Sequence, residues 1–334
     1  MPEHTPLYEA AARAGAVFVE DAGWEVPGHV QGANAEYAAA REGAALVDLS
    51  HQGKVEVTGA DASTFLHNLC TNDVRNLADG AGCEVFFTTA KAKVVAHGFL
   101  FHEGATFWLD LAPGTAEKVL RHLNHFLISE QVEFADRTRE LAQVHLAGPR
   151  AQALLQRAAG PWRVRRNDRL GVPGYDILCP PGEAPALWQA LTDAGAVPAG
   201  LQAFEALRIE AGTPRYGLDR DDNTFAPEAG RTAQAICYTK GCYLGQEPIV
   251  MARDRGHVNR QLLGLKVAGD PVPFGSLVFR DGKEVGRVTS SVRSPRLGTI
   301  ALAYLRRGNQ EPGTAVEVEV PGHRLAATVA RPPF

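Results

Sequence analysis

The chain has 334 residues and is 45% hydrophobic, enough to bury a sizeable core in two or three domains. Its 34 basic and 38 acidic residues leave a net charge of −4, which gives no electrostatic drive toward nucleic acid or an anionic membrane. No window reaches the apolar length of a membrane span, and the opening Met-Pro-Glu-His lacks the basic-then-apolar pattern of a leader. A cytoplasmic protein is expected, with a monomer as the default. Five cysteines, at 70, 83, 179, 237 and 242, are odd in number and scattered, which is not a disulfide framework. The C-x4-C spacing of Cys237 and Cys242 has no second cysteine or histidine cluster nearby, so a structural zinc is not expected.

In chain order, residues 6–14 and 34–43 read as helices and Lys54–Thr58 alternates like a strand. Asp61 is placed to cap a helix running to about Leu69. Strand-like runs follow at Glu84–Thr89, Val94–Phe101 and Thr106–Leu111, then a helix from Gly114-Thr115 to about Phe126. Gln143–Leu146 and Tyr175–Leu178 read as strands, Pro149 suits the first turn of a helix, and helices are predicted at 184–194 and 200–211. Arg163, Arg165, Arg166 and Arg169 form a run that reads as a solvated charged face or as a local basic groove. Residues 212–240 are rich in Pro, Gly, Asp and Thr and read as a long ordered loop, a kind of segment that is often functional.

Beyond residue 258 the texture changes to short strands at Leu262–Val267, Leu277–Arg280, Glu284–Ser290, Thr299–Leu305, Ala315–Val320 and Arg324–Ala330. Asp281-Gly282 is a hairpin signal, since both residues tolerate positive φ. The fold class is α+β followed by a small C-terminal β-barrel or jelly-roll-like domain, with domains at 1–257 and 258–334.

The most informative stretch is Lys240-Gly241-Cys242-Tyr243-Leu244-Gly245-Gln246-Glu247, followed by Pro248. A thiol near a cation loses its proton more readily, because the thiolate gains an opposite charge. The flanking glycines allow a tight turn and leave the sulfur uncrowded. A tight turn with an inert cysteine is the alternative. The octapeptide resembles the K-G-C-(Y/F)-x-G-Q-E box of YgfZ-type folate-binding proteins, relatives of the glycine-cleavage aminomethyltransferases.

Similarity to that superfamily extends along the chain. It covers Ala22-Gly23-Trp24-Glu25-Val26-Pro27, Leu46–His51, the Thr71-Asn72-Asp73-Val74 box, Leu207–Gly212 with Tyr216-Gly217, and several C-terminal segments. The resemblance implies two interlocked α+β lobes around a central folate channel plus a C-terminal barrel. It implies tetrahydrofolate, or a one-carbon derivative, as cofactor. Asp176, in Tyr175-Asp176-Ile177, matches a glutamate near the pterin site, where a carboxylate can accept two hydrogen bonds from a 2-amino-pyrimidinone edge. Tyr175, Asn72, Asp73 and Glu228 are further candidates for the folate site, although Asn72 and Asp73 are equally suited to a simple turn.

Two departures matter. Where the aminomethyltransferases carry a catalytic carboxylate, this chain has Ala96 and His97, and no Asp or Glu occurs between Glu84 and Glu103. The basic residue expected four positions before Arg208 is Phe204. The YgfZ resemblance therefore implies a tetrahydrofolate-binding accessory protein for iron–sulfur cluster assembly or repair, with indirect effects on tRNA modification. Its partners would be iron–sulfur proteins or the assembly machinery. In that reading Cys242 is the reactive group, Lys240 lowers its pKa, and Gln246 and Glu247 orient the loop. The alternatives are a folate-dependent aminomethyl or methyl transferase, opposed by the missing acid, and a non-catalytic folate- or partner-binding module.

Overall fold

In the computed structural model, which describes residues 1–256 and 258–334, the chain is mixed α and β and ends in a closed barrel. It passes back and forth between two units. One comprises Met1–His67, Asp73–Glu84 and Gly98–Glu205, the other Asn68–Asn72, Val85–His97 and Ala206–Phe334. His257, the last residue of the expected first domain, lies outside the described residues. None of the described helices is long and apolar enough to cross a membrane.

The first unit contains a five-stranded sheet in the order Arg163–Arg166, Gly174–Cys179, Ala142–Ala147, Ala45–Asp48, Val197–Ala199. Side chains alternate across a strand. Ala142, Val144, Leu146, Tyr175, Ile177 and Cys179 therefore pack in one core with Leu154, Leu187, Trp188 and Leu191 from the helices Ala151–Ala158 and Ala184–Asp193. The opposite face of the same two strands carries Gln143, His145 and Asp176, and these are fully buried as well. A second sheet runs Gly82–Thr88, Val94–Glu103, Thr106–Leu111, Gly53–Thr58, Glu133–Asp136. Within it, Lys54 pairs directly across the strands with Asp110.

The second unit ends in a closed six-stranded barrel, ordered Arg260–Val267, Gly298–Arg306, Lys283–Ser294, Leu277–Arg280, Ala315–Val320, His323–Ala330. Its interior follows the period-2 pattern: Val316 and Val318 point inward and Glu317 outward. Burying each such valine contributes about 1.5–3 kcal/mol. The expected hairpin forms at Asp281-Gly282, with φ of 51° and 75°.

A single carboxylate ties the loop after residue 212 to this barrel. A bulge between Val288 and Ser290 aims Thr289 and Ser290 at Asp219 Oδ1, to which their hydroxyls donate at 2.5 and 2.7 Å. Asp219 Oδ2 accepts from Arg208 Nη1 at 2.6 Å and from the Arg215 N–H at 2.9 Å. Arg208 also donates to Ser290 Oγ at 2.8 Å.

Several elements were not legible in the sequence. Residues 212–240 contain a 3-10 turn at Ala226–Ala229 and a short helix at Thr232–Ala235. Gln246–Asp254, for which the residue pattern signals no element, is a helix. Pro248 does not prevent it, because the N–H groups of a first turn have no helical partner to lose. Val17–Asp21 and Trp24–His29 form an unpredicted hairpin about Ala22-Gly23, both with positive φ.

The Asp219 anchor makes a stability prediction. Asp219→Ala removes the buried carboxylate that pairs with Arg208 and bonds Arg215, Thr289 and Ser290, and should cost about 3–5 kcal/mol, measured by urea unfolding. A loss below about 1 kcal/mol, the scale of an exposed pair, would contradict that role.

Candidate functional site

In the first unit the polar face of the sheet organises one buried network. Asp176 Oδ1 accepts from His145 Nδ1 at 2.8 Å, while Oδ2 accepts from Asn167 Nδ2 at 2.7 Å and Arg169 Nη2 at 2.8 Å. Arg169 also pairs with Asp110 Oδ2, which in addition accepts from Gln143 Nε2 at 3.0 Å. Gly174 is required beside this network: a Cβ there would lie 2.5 Å from the Asn167 carbonyl and 3.0 Å from His145 Nε2. Burial by itself would raise the Asp176 pKa. Arg169 and then His145 outweigh it and hold the carboxyl well below the usual carboxylate range.

Both Asp176 oxygens are thus engaged internally. The groups left open lie next to it. Asp110 Oδ1, Gln143 Oε1 and His145 Nε2 are buried without a hydrogen-bond partner among the described residues. Unmet buried acceptors are costly and call for a ligand or water that donates to them. Lys54, opposite Asp110, donates to the Ser50 and Gln52 carbonyls at 2.9 and 2.8 Å. Burial pushes its ammonium down to about 8, against the opposing pull of Asp110 and then Asp48.

The octapeptide lies in the second unit and is stapled at both ends. Lys240 Nζ donates to the Cys70 and Asn72 carbonyls at 2.8 Å each and stands 4.8 Å from the Tyr243 ring centroid. The Leu244 N–H donates to the Asn68 carbonyl at 2.9 Å, and the Leu244 carbonyl accepts from Thr88 Oγ1 at 2.9 Å. Gly245 has φ of 83°, and a Cβ on it would lie 2.4 Å from Thr88 Oγ1. Between these staples Gly241 and Cys242 are exposed, so the thiol is held out to solvent by a fixed loop. Gln246 and Glu247 form the first turn of the helix that follows.

The remaining candidates are spread across the two units. Tyr175 neighbours Asp176 and lies beneath Arg166, whose guanidinium carbon is 5.6 Å from its ring. Asn72 Nδ2 donates to the Gln234 carbonyl at 2.9 Å, and Asp73 accepts from Asn76 Nδ2 at 2.8 Å. Glu228 accepts from Arg260 Nε at 2.9 Å. Ala96 and His97 are buried, with His97 4.7 Å from the Phe86 ring.

The arginine run needs correcting. Arg163 and Arg166 are partly exposed, but Arg165 is buried against Glu103 and Arg169 against Asp110 and Asp176. Sequence reading also missed Asp110, Gln143, His145 and Asn167. For Asp110, Gln143 and His145 the available signal was polar residues alternating inside strands whose other face is apolar; Asn167, just past the strand Arg163–Arg166, carried none.

The GCVT N-terminal domain model matches residues 7–169 and 159–234, and the glycine cleavage T-protein C-terminal barrel domain model matches residues 260–334. The chain belongs to the glycine-cleavage T-protein family. It is 35% identical to an aminomethyltransferase of Rubrobacter xylanophilus, over 90% of this chain and 86% of that one. It is 32% identical to one of Herpetosiphon aurantiacus, over 99% and 98%. Among solved structures it is similar to the glycine cleavage system aminomethyltransferase T of Bartonella henselae, with a TM-score of 0.93 and 27% identity, covering 100% of this chain and 98% of that one.

These relatives overturn the expectation of an accessory factor for iron–sulfur clusters and tRNA modification. That expectation rested on an eight-residue box, whereas the likeness to aminomethyltransferases runs the length of the chain. The alternative, a one-carbon transferase, is the better supported reading.

Lys54 provides a test of the buried network. The unfolded lysine keeps its proton up to about 10.4, while the folded one releases it near 8. Between those pH values the unfolded chain binds more protons, so this group makes stability rise with pH. Lys54→Met should remove a rise on the order of 3 kcal/mol across that window, measured by denaturant unfolding at stepped pH. Identical slopes in variant and wild type would contradict the assignment.

Proposed function

We propose that this protein is a folate-dependent one-carbon transferase that moves an aminomethyl or methyl unit between a donor and tetrahydrofolate. The observation that carries the reading is whole-length similarity to aminomethyltransferases, in sequence and in structure. Tetrahydrofolate, when bound, supplies the amines that take up the one-carbon unit.

Asp110 and Gln143 suit the pterin, since each presents a buried acceptor oxygen without a partner and a 2-amino-pyrimidinone edge presents donors. Asp176 shapes that surface, with Arg169 fixing the carboxylate, whereas Tyr175, expected from the sequence to share the folate site, points into the apolar core on the other face of the sheet. Cys242 is the exposed nucleophile, carried on a loop that Lys240 and the Asn72 carbonyl hold in place. Gln246 and Glu247 position it through the helix they begin, and Asp73 and Glu228 brace neighbouring turns. His97 stands where the resemblance implies a catalytic carboxylate and, of the ionisable groups in that hairpin, which also holds Lys91 and Lys93, it is the one at that place.

A second reading, a folate-binding member that does not turn over, is favoured by one observation: Ala96 and His97 replace the acidic pair. A single assay separates the two. Formation of 5,10-methylenetetrahydrofolate from tetrahydrofolate and an S-aminomethyl thiol, with release of the free thiol and ammonia, should proceed with the wild type. It should fall about a hundredfold in His97→Gln with tetrahydrofolate affinity retained. No turnover by a wild type that binds tetrahydrofolate would overturn the transferase and leave the binding reading.

A further inference from the structure

Beside the Asp219 anchor lies a cleft whose side chains the transfer chemistry does not use. It measures about 340 Å3 and is enclosed by residues 217–224 and by side chains of the barrel strands Lys283–Ser294 and Gly298–Arg306. Four guanidinium groups line it, from Arg220, Arg260, Arg287 and Arg306, against the acids Asp219, Asp221 and Glu284.

Two of these guanidinium groups are already paired, Arg306 with Glu284 and Arg260 with Glu228. Asp219 holds Arg208, Thr289 and Ser290. Asp221 accepts from the Asn223 N–H at 2.9 Å and from Thr224 Oγ1 at 3.1 Å. Glu284 pairs with Arg306 at 2.9 Å. Arg287 is exposed and, among the described residues, meets no carboxylate. It stands directly across the strands from Tyr304.

The Tyr304 hydroxyl is buried in contact with Thr224, which also bonds Asp221, and among the described residues no group takes the Tyr304 proton in full hydrogen-bonding geometry. Its ring carries the Arg260 guanidinium 4.6 Å from the centroid. Burial pushes the phenol up to about 12, so at neutral pH it keeps its proton and can donate. The lining also includes two exposed apolar side chains, Leu218 at 38% and Phe274 at 65%, which water leaves unsatisfied.

We propose that this cleft binds a small organic anion, a carboxylate carried on an apolar or aromatic body. The Tyr304 O–H and the Arg287 guanidinium donate to the carboxylate, and Phe274 and Leu218 cover the body. A cation would face the Arg287 guanidinium, which has no carboxylate partner among the described residues. A neutral apolar molecule would leave the Tyr304 donor buried and unmet. Arg260 is shared with Glu228, but Arg287, Tyr304, Phe274 and Leu218 have no part in transfer, so the proposal stands or falls independently of that reading.

Ligand-observed NMR titration with phenylacetate, phenylacetamide and inorganic phosphate tests it. Phenylacetate should saturate at about 1 mM or below, with phenylacetamide and phosphate each about tenfold weaker or more. Arg287→Gln and Phe274→Ala replace exposed side chains, so the barrel is kept, and each should weaken phenylacetate about tenfold. Tetrahydrofolate binding should be unchanged in both variants. Failure of phenylacetate to saturate, equal binding of the amide, equal binding of phosphate, or indifference to both substitutions would overturn the proposal.

Discussion

Asp219 is the constraint on which the second unit depends. One carboxylate accepts four hydrogen bonds, from Arg208, Arg215, Thr289 and Ser290. These partners come from a helix, the long loop and a bulged barrel strand. A buried charge of this kind is costly unless every lone pair is used, and here every one has a donor. These bonds fix the first part of the loop from 212 onward, and its later part is held by packing of Ala226, Ala229, Ala235 and Ile236 in a core with Phe86, Val94 and Ile249. The cleft between residues 217–224 and the barrel exists because that course is fixed.

The first unit solves a different problem. Strands Ala142–Ala147 and Gly174–Cys179 are buried on both faces, yet only one face is apolar. The other carries Gln143, His145 and Asp176, which bond to one another's neighbours through Arg169, Asn167 and Asp110. Replacing such a network with hydrophobic residues is often neutral or stabilising, so stability alone does not account for it. What distinguishes it is that the network is incomplete. Acceptor oxygens of Asp110 and Gln143 stay unmet, which is what a site for a donor-rich ring requires.

The barrel was readable from the sequence because its strands are half-buried and alternate, as in Ala315–Val320, and because Asp281-Gly282 announces a turn. Strands such as Ala45–Asp48, buried along their whole length, show no alternation and were passed over. The helix Gln246–Asp254 was hidden by Pro248, and the Val17–His29 hairpin by its Ala22 turn, since alanine does not advertise positive φ. For the site, the octapeptide identified an exposed thiol and its stapling lysine. It could not reveal that Asp176 is enclosed by Arg169, seven residues earlier, because that pairing exists only once two strands and a loop converge. Nor could eight residues outweigh the whole chain: the box pointed to one branch of function, and the full length to another.

The most direct measurement is anaerobic calorimetric titration of the full chain with tetrahydrofolate, on the wild type and Gln143→Met. Saturable binding, weakened about tenfold by a substitution that keeps volume but removes the Gln143 acceptor, is the predicted result. No saturable binding, or equal affinity in both proteins, would contradict the account.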